Sequence, residues 1–221
     1  VVQAQRIVVV GAGGQARVVI DAALSAGHHV LGVLDRDADP GSLVLGCPVL
    51  GSDEDVPRVL ASFAAQLSGP FDGVIIGIGD NATRERIAAR LEAAVPGVRF
   101  GVVIHPRTII SPTARIGPGS VIHAGAIVGV QASVGRHCIV NTNASIDHDD
   151  VLDDFASVAP GATLGGTVRV GRGAAVCLGA KVIQGLSVGA SSIVGAGATV
   201  VRDVPPSVVV MGTPARVVRP V

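Results

Sequence analysis

A chain of 221 residues in which 17 basic side chains balance 17 acidic ones offers no electrostatic case for binding nucleic acid. Its mean hydropathy is high, +0.58, yet no run of about 18 apolar residues interrupts the polar ones, which excludes a membrane-spanning helix. Four Phe with no Trp or Tyr leave a core of Val, Ala and Ile, and Cys47, Cys138 and Cys177 show neither metal-ligand spacing nor an even-numbered disulfide set.

Arg6 to Val10 reads as a short buried strand that runs into Gly11-Ala12-Gly13-Gly14. A helix is predicted from about Gln15 to Ser25, with Val18, Val19, Ala22 and Ala23 as its apolar positions. The apolar run before the glycines is too short for a secretory signal, so a cytoplasmic protein is expected. His29 to Leu34 is a second strand ending on Asp35, and His28 and His29 fall on an exposed loop leading into it. A helix over Val56 to Leu67, a strand over Gly73 to Ile78 and a helix over Asn81 to Ala94 capped by Asn81 or Thr83 complete this part. Strands alternating with helices predict a small parallel, Rossmann-like α/β sheet.

Glycines at a strand-to-helix turn let backbone N–H groups and the positive end of the helix approach a phosphate, and Asp35 stands where such folds contact a ribose or a base. Ala16 replaces the third glycine of the dinucleotide fingerprint. Two readings therefore stay open at this point, a bound nucleotide or a tight turn.

From Ile110 to Val200 every sixth residue is Ile, Val or Leu, 16 positions in one register. A random soluble segment would place a branched aliphatic at any one of them only about a third of the time. This is the signature of a hexapeptide-repeat β-helix. The residue after the aliphatic is often Gly, Asn or Asp, read as a corner type, and four residues after it the side chain is usually small, Cys138 among them. Three hexads make a turn, and about five turns stack as a solenoid. The boundary is expected near Gly101 to His105, where Ile104-His105-Pro106 leads into the first repeat, giving domains 1–103 and 104–221. Because nothing interrupts the register, no long loop leaves the prism to form a site by itself.

The stretches 8–19, Leu34-Asp35-Arg36-Asp37, Gly77-Ile78-Gly79-Asp80-Asn81 with Arg84, Ile104-His105-Pro106, 141–149 (NTNASIDHD) and Gly212-Thr213-Pro214-Ala215-Arg216 together resemble the hexapeptide-repeat sugar acyltransferases of the sialic-acid O-acetyltransferase type. Within that family the chain is most similar to the N-acetyltransferases of nucleotide-linked 4-amino sugars, of the bacillosamine (UDP) and GDP-perosamine kinds. The resemblance implies a left-handed β-helix, a homotrimer, acetyl-CoA as cosubstrate in a groove between neighbouring prisms, and a UDP- or GDP-linked amino sugar held by the N-terminal domain. It implies His148 as general base with Asp149 beside it. Ser157, Gly166, Leu178 and Ala196 fall at acetyl-CoA positions, the Gly166 N–H steadying the oxyanion. Gly13, Gly14, Gln15, Asp35, Arg36, Gly51 and Asn81 fall at nucleotide-sugar positions.

The chain departs from the pattern at Gln15, where a histidine is usual, at Ser157, where the bacillosamine enzyme has a second histidine, and at Arg36, which replaces an acidic residue. His123, His137 and His148 lack the five-residue separation of a three-histidine zinc site, and no metal is expected. Two other functions fit the same residues: O-acetylation of a sialic-acid-like sugar, and a non-catalytic trimeric scaffold that binds nucleotide sugars.

Overall fold

The computed structural model describes residues 4–66 and 72–221, and it divides into two compact units, 1–106 and 107–221. The division falls three residues beyond the boundary read from the sequence.

In the first unit β1 (Arg6–Val10) is an inner strand of a five-stranded sheet. It pairs in parallel with β2 (His29–Leu34) on one side and β5 (Gly73–Ile76) on the other. Its Ile7, Val8, Val9 and Val10 are at most 1% exposed, as a strand covered on both faces requires. The expected strand to Ile78 ends two residues early, because the chain turns at Gly77, where a Cβ would lie 2.8 Å from Ala16 of the facing helix.

Two further strands, β3 (Leu43–Val44) and β4 (Cys47–Gly51), form a hairpin that extends the sheet in the order β3-β4-β2-β1-β5. Its turn places Leu45 at φ 48° and Gly46 at φ 80°. The sequence reading did not include this hairpin, because such turns favour Asn, Asp or Gly at the first central position and Leu45 is none of these.

Helix α1 (Gly14–Ser25) buries Ala16, Val19, Ile20, Ala22 and Ala23. Helix α2 spans Val56–Gln66; the expected last residue, Leu67, lies outside the described residues. Helix α3 (Asn81–Ala94) is capped by Asp80, whose carboxylate accepts from Thr83 N at 2.8 Å, rather than by Asn81 or Thr83. The loop before it is held by Arg84, 1% exposed, which donates to the Ile78 and Gly79 carbonyls and to Asn81 Oδ1. His28 is buried, contrary to expectation: its Nδ1 accepts from Gln5 N, and burial lowers its pKa. His29 beside it is exposed.

The second unit is a left-handed parallel β-helix of two-residue strands. Each strand pairs with the strand 18 residues on, as Ile127–Val128 with Ser145–Ile146, so three faces rise together. The rungs from Ile122 to Val200 are 0–2% exposed, each such aliphatic contributing about 1.5–3 kcal/mol by leaving water. Ile110 and Ile116 are only half-buried, since their strands have a β-helix neighbour on one side. The third face ends in Val208–Met211 and an antiparallel strand, Arg216–Pro220.

The corners are built differently from the sequence reading. From Ile116 to Val194 positive φ falls three residues after the aliphatic, at Gln131, His137, Asn143, Asp149, Phe155 and Thr167 for instance. The glycine directly after the aliphatic has an ordinary φ and is required by crowding instead. A Cβ on Gly129 would sit 2.6 Å from the Asp147 carbonyl carbon of the next coil. Cys138 packs at a small-residue position, fully buried, as its place in the repeat suggests. Among the described residues no helix is long and apolar enough to cross a membrane.

Candidate active site

His148 and Gly166 stand one coil apart on a single edge of the prism. His148 lies between the strands Ser145–Ile146 and Val151–Leu152, and Gly166 lies between Thr163–Leu164 and Arg169–Val170. Both are two residues past a rung, and the peptides are tied directly, Thr167 N donating to the His148 carbonyl at 2.9 Å. At the position before them the chain carries Asp147 in one coil and Gly165 in the other. The Asp147 carboxylate accepts the His148 N–H at 2.7 Å. Gly165 has no side chain to do the same, and among the described residues no protein group accepts the Gly166 N–H.

The imidazole is 57% exposed, and its Nδ1 lies 2.8 Å from Asp149 Oδ2. A carboxylate only accepts, so Nδ1 carries the proton and Nε2 presents its lone pair. The hydrogen bond donated to Asp149 holds the His148 pKa above its ordinary value, and the charges of Asp147, Asp149 and Asp150 act in the same direction. Asp149 takes the αL corner position at φ 60°, which an Asp tolerates better than most residues. The ring extends up to Gly166: a Cβ there would lie 2.5 Å from His148 Cε1. Glycine at 166 is what allows the imidazole and that peptide to meet.

The four expected acetyl-CoA residues do not gather on one edge. Gly166 shares the His148 edge, whereas Leu178 and Ala196 are stacked on another edge, Gly197 N donating to the Leu178 carbonyl at 2.8 Å. Leu178 is 57% exposed. Ser157 stands on a strand of the third face, between Ile139 and Ala175.

In the first unit a cavity of about 370 Å³ opens at the ends of β1 and β2. Of the seven residues expected to contact the nucleotide sugar, its walls include Asp35 and Arg36, together with Gly11, Asp37, Asp53, Thr83, Arg86 and Arg90. Gly13, Gly14, Gln15, Gly51 and Asn81 are not among them. The Asp35 carboxylate is spent on the backbone, accepting from Ala12 N at 2.7 Å and Asp37 N at 2.8 Å, so its first role is to fix the glycine loop. Arg36 and Arg90 both pair with Asp53. Thr83, Arg86 and Arg90 are spaced three and four residues apart on α3, a one-face pattern visible in the sequence and not singled out there. Gly11 has φ 111° and Gly51 φ 141°, with a Cβ on Gly51 meeting the Asp55 carboxylate, so the fold requires glycine at both. Gly13 has an ordinary φ of −70°, and a Cβ on Gly13 or Gly14 would meet nothing. No side chain caps α1 there. Asn81 Oδ1 is engaged by Arg84. Among the described residues no group of three or more His, Cys, Asp or Glu is arranged to hold a metal.

The model of the PglD N-terminal domain matches residues 6–91. PerB from Caulobacter crescentus, solved in complex with CoA and GDP-perosamine, is 36% identical, with a TM-score of 0.87 over 96% of both chains. The acetyltransferase domain of PglB from Neisseria gonorrhoeae FA1090, in complex with acetyl coenzyme A, is 35% identical, with a TM-score of 0.85 over 98% of this chain and 100% of that one. Serine acetyltransferase 2 of Arabidopsis thaliana is 31% identical over 147 residues, 63% of this chain, and this chain spans only 38% of that enzyme.

Proposed function

The chain belongs to the hexapeptide-repeat sugar acetyltransferases, and we propose that it transfers the acetyl group of acetyl-CoA to the 4-amino group of a nucleotide-linked 4-amino-4,6-dideoxy sugar. The observation that carries this reading is the His148 imidazole, oriented by Asp149 through Nδ1 and lying against Gly166. The sugar amine attacks the thioester carbonyl carbon while His148 Nε2 accepts its proton. The Gly166 N–H donates to the oxygen that becomes negative. As the C–S bond breaks, the imidazolium returns the proton to sulfur, releasing CoA as the free thiol. Asp149 stabilises the imidazolium between the two transfers.

The division of the expected cofactor residues between two prism edges supports a homotrimer in which the His148 edge of one copy faces the Leu178–Ala196 edge of the next. Binding of the nucleotide by the first unit is supported by Gly13 and Gly14, glycines that the fold does not need and that leave the uncapped start of α1 open to a phosphate. The basic and acidic walls of the cavity suit a base and ribose, and a setting in the cytoplasm would supply acetyl-CoA.

The test is release of CoA thiol with UDP-, GDP- and dTDP-linked amino sugars and their 4-hydroxy counterparts, for the parent and for His148→Ala and His148→Asn. Turnover with an amino acceptor should fall by about 10²-fold or more in both variants, with acetyl-CoA binding and assembly retained. Unchanged turnover sinks the assignment, and a preference for hydroxy acceptors replaces N- with O-acetylation.

A further inference from the structure

The interior small-residue position of the repeat, filled by Ala132, Ala144, Ala156, Ala162 and Ala174, also holds one carboxylate, Asp150, at 0% exposure. Its two oxygens are used in different directions. Oδ2 accepts from Asp147 N at 2.8 Å, within the corner that carries His148. Oδ1 accepts from Val168 N at 2.7 Å, in the next coil, two residues past Gly166. The side chain thus links the start of the base-bearing corner to the end of the corner that carries the Gly166 N–H.

Ser120 and Ser192, at equivalent interior positions, show what the fold alone asks of such a residue. Ser120 Oγ accepts from Cys138 N and donates to the Gly135 carbonyl, and Ser192 Oγ accepts from Val208 N and donates to the Pro205 carbonyl. All four partners lie ahead of the serine in the chain, in the coil that follows. A serine ties coil to coil and leaves its own corner alone. Asp150, unlike the two serines, also accepts from its own corner, and that corner is the one with the histidine.

Resting on the acetyl-transfer reading above, we propose that Asp150 is a positioning residue that sets the distance between His148 Nε2 and the Gly166 N–H. Burial pushes its carboxyl up to about 6 against the pull of the two N–H donors. It is therefore ionised at neutral pH, with both oxygens free to accept.

Asp150→Ser in the full chain separates the tie that the fold needs from the one the base needs. It keeps an acceptor for Val168 N and removes the one for Asp147 N. The expected result is an unchanged oligomer that still melts cooperatively, an unchanged KM for acetyl-CoA, and a kcat lower by about 10- to 100-fold, the range for displacing a reacting group by about an ångström. Asp150→Asn, which keeps the volume and a single acceptor, should show the same split. A wild-type kcat in either folded variant overturns the proposal, and so does loss of the fold in both, which would make the carboxylate a stabilising group only. His148→Ala measured alongside keeps the two readings apart. If it retains full turnover, the general-base assignment falls; if it is inactive while Asp150→Ser is unimpaired, only the role of Asp150 falls.

Discussion

Gly166→Ala tests the contact on which the mechanism turns. The backbone at 166 does not require a positive φ, so alanine is conformationally permitted and the coil should form. The added methyl, however, would lie 2.5 Å from His148 Cε1, where ordinary contact begins near 3.4 Å. The imidazole is exposed and can move, so it yields by about 1 Å, and a displacement of that size costs on the order of 10²-fold in rate. The assay is kcat for thiol release at saturating acetyl-CoA, with melting temperature and oligomeric state as controls. The decisive measurement repeats the substitution in a His148→Ala background, where the methyl has no ring to push. There Gly166→Ala should cost little more, because neighbours acting as one unit are not additive. An equal loss in both backgrounds would refute the steric argument and assign the effect to acetyl-CoA binding.

Asp149→Asn should move the acidic limb of the kcat/KM–pH profile downward. The Asp149 hydrogen bond now raises the His148 pKa, so in the parent the base is lost, as pH falls, at a point above the ordinary imidazole value of about 6.5. A limb that stays in place contradicts the pairing. Asp35→Ala leaves the Ala12 and Asp37 N–H groups without their acceptor, a stability cost of about 1–3 kcal/mol. It should raise KM for the nucleotide sugar in steady-state kinetics and leave KM for acetyl-CoA alone, and the opposite pattern would count against the assignment of the first unit. Asp150→Asn should also alter how stability depends on pH. With a folded pKa near 6 and an unfolded one near 3.9, the parent holds an extra proton when folded. It loses about 3 kcal/mol from this group as pH rises through that window, which the amide does not lose. Parent minus variant melting temperature should therefore fall between pH 4 and pH 7, and a constant difference would contradict the raised pKa.

The β-helix was legible because its determinant is one-dimensional. A rung aliphatic every six residues is a local rule, and Ile122 to Val200 obey it in space as they do in sequence. The β1–α1–β2 order was likewise written in Ile7 to Val10, the glycine loop and Val30 to Leu34. His148 and Asp149 could be named because neighbours in the chain pair directly, Nδ1 to Oδ2. The α3 cap was misplaced by one or three residues, since Asp80, Asn81 and Thr83 are all good cap types and only the backbone turn selects among them. The burial of His28 was invisible because its partner, Gln5, lies on the far side of β1 and α1 in the chain.

What the sequence determined by itself was the fold of both units, which follows from period and order, and the family, which follows from its motifs; the proposed base, His148, came from that resemblance. What only the tertiary structure decided was who stands against whom. Residues 18 positions apart become neighbours solely through the pitch of the coil, which sets Gly166 on the His148 ring and leads Val168 N to Asp150. The same pitch sends Leu178 and Ala196 to another edge, and a parallel sheet gathers Asp53, Thr83, Arg86 and Arg90 around one cavity. No spacing rule in the chain announces these meetings, because they depend on the summed geometry of every corner between them.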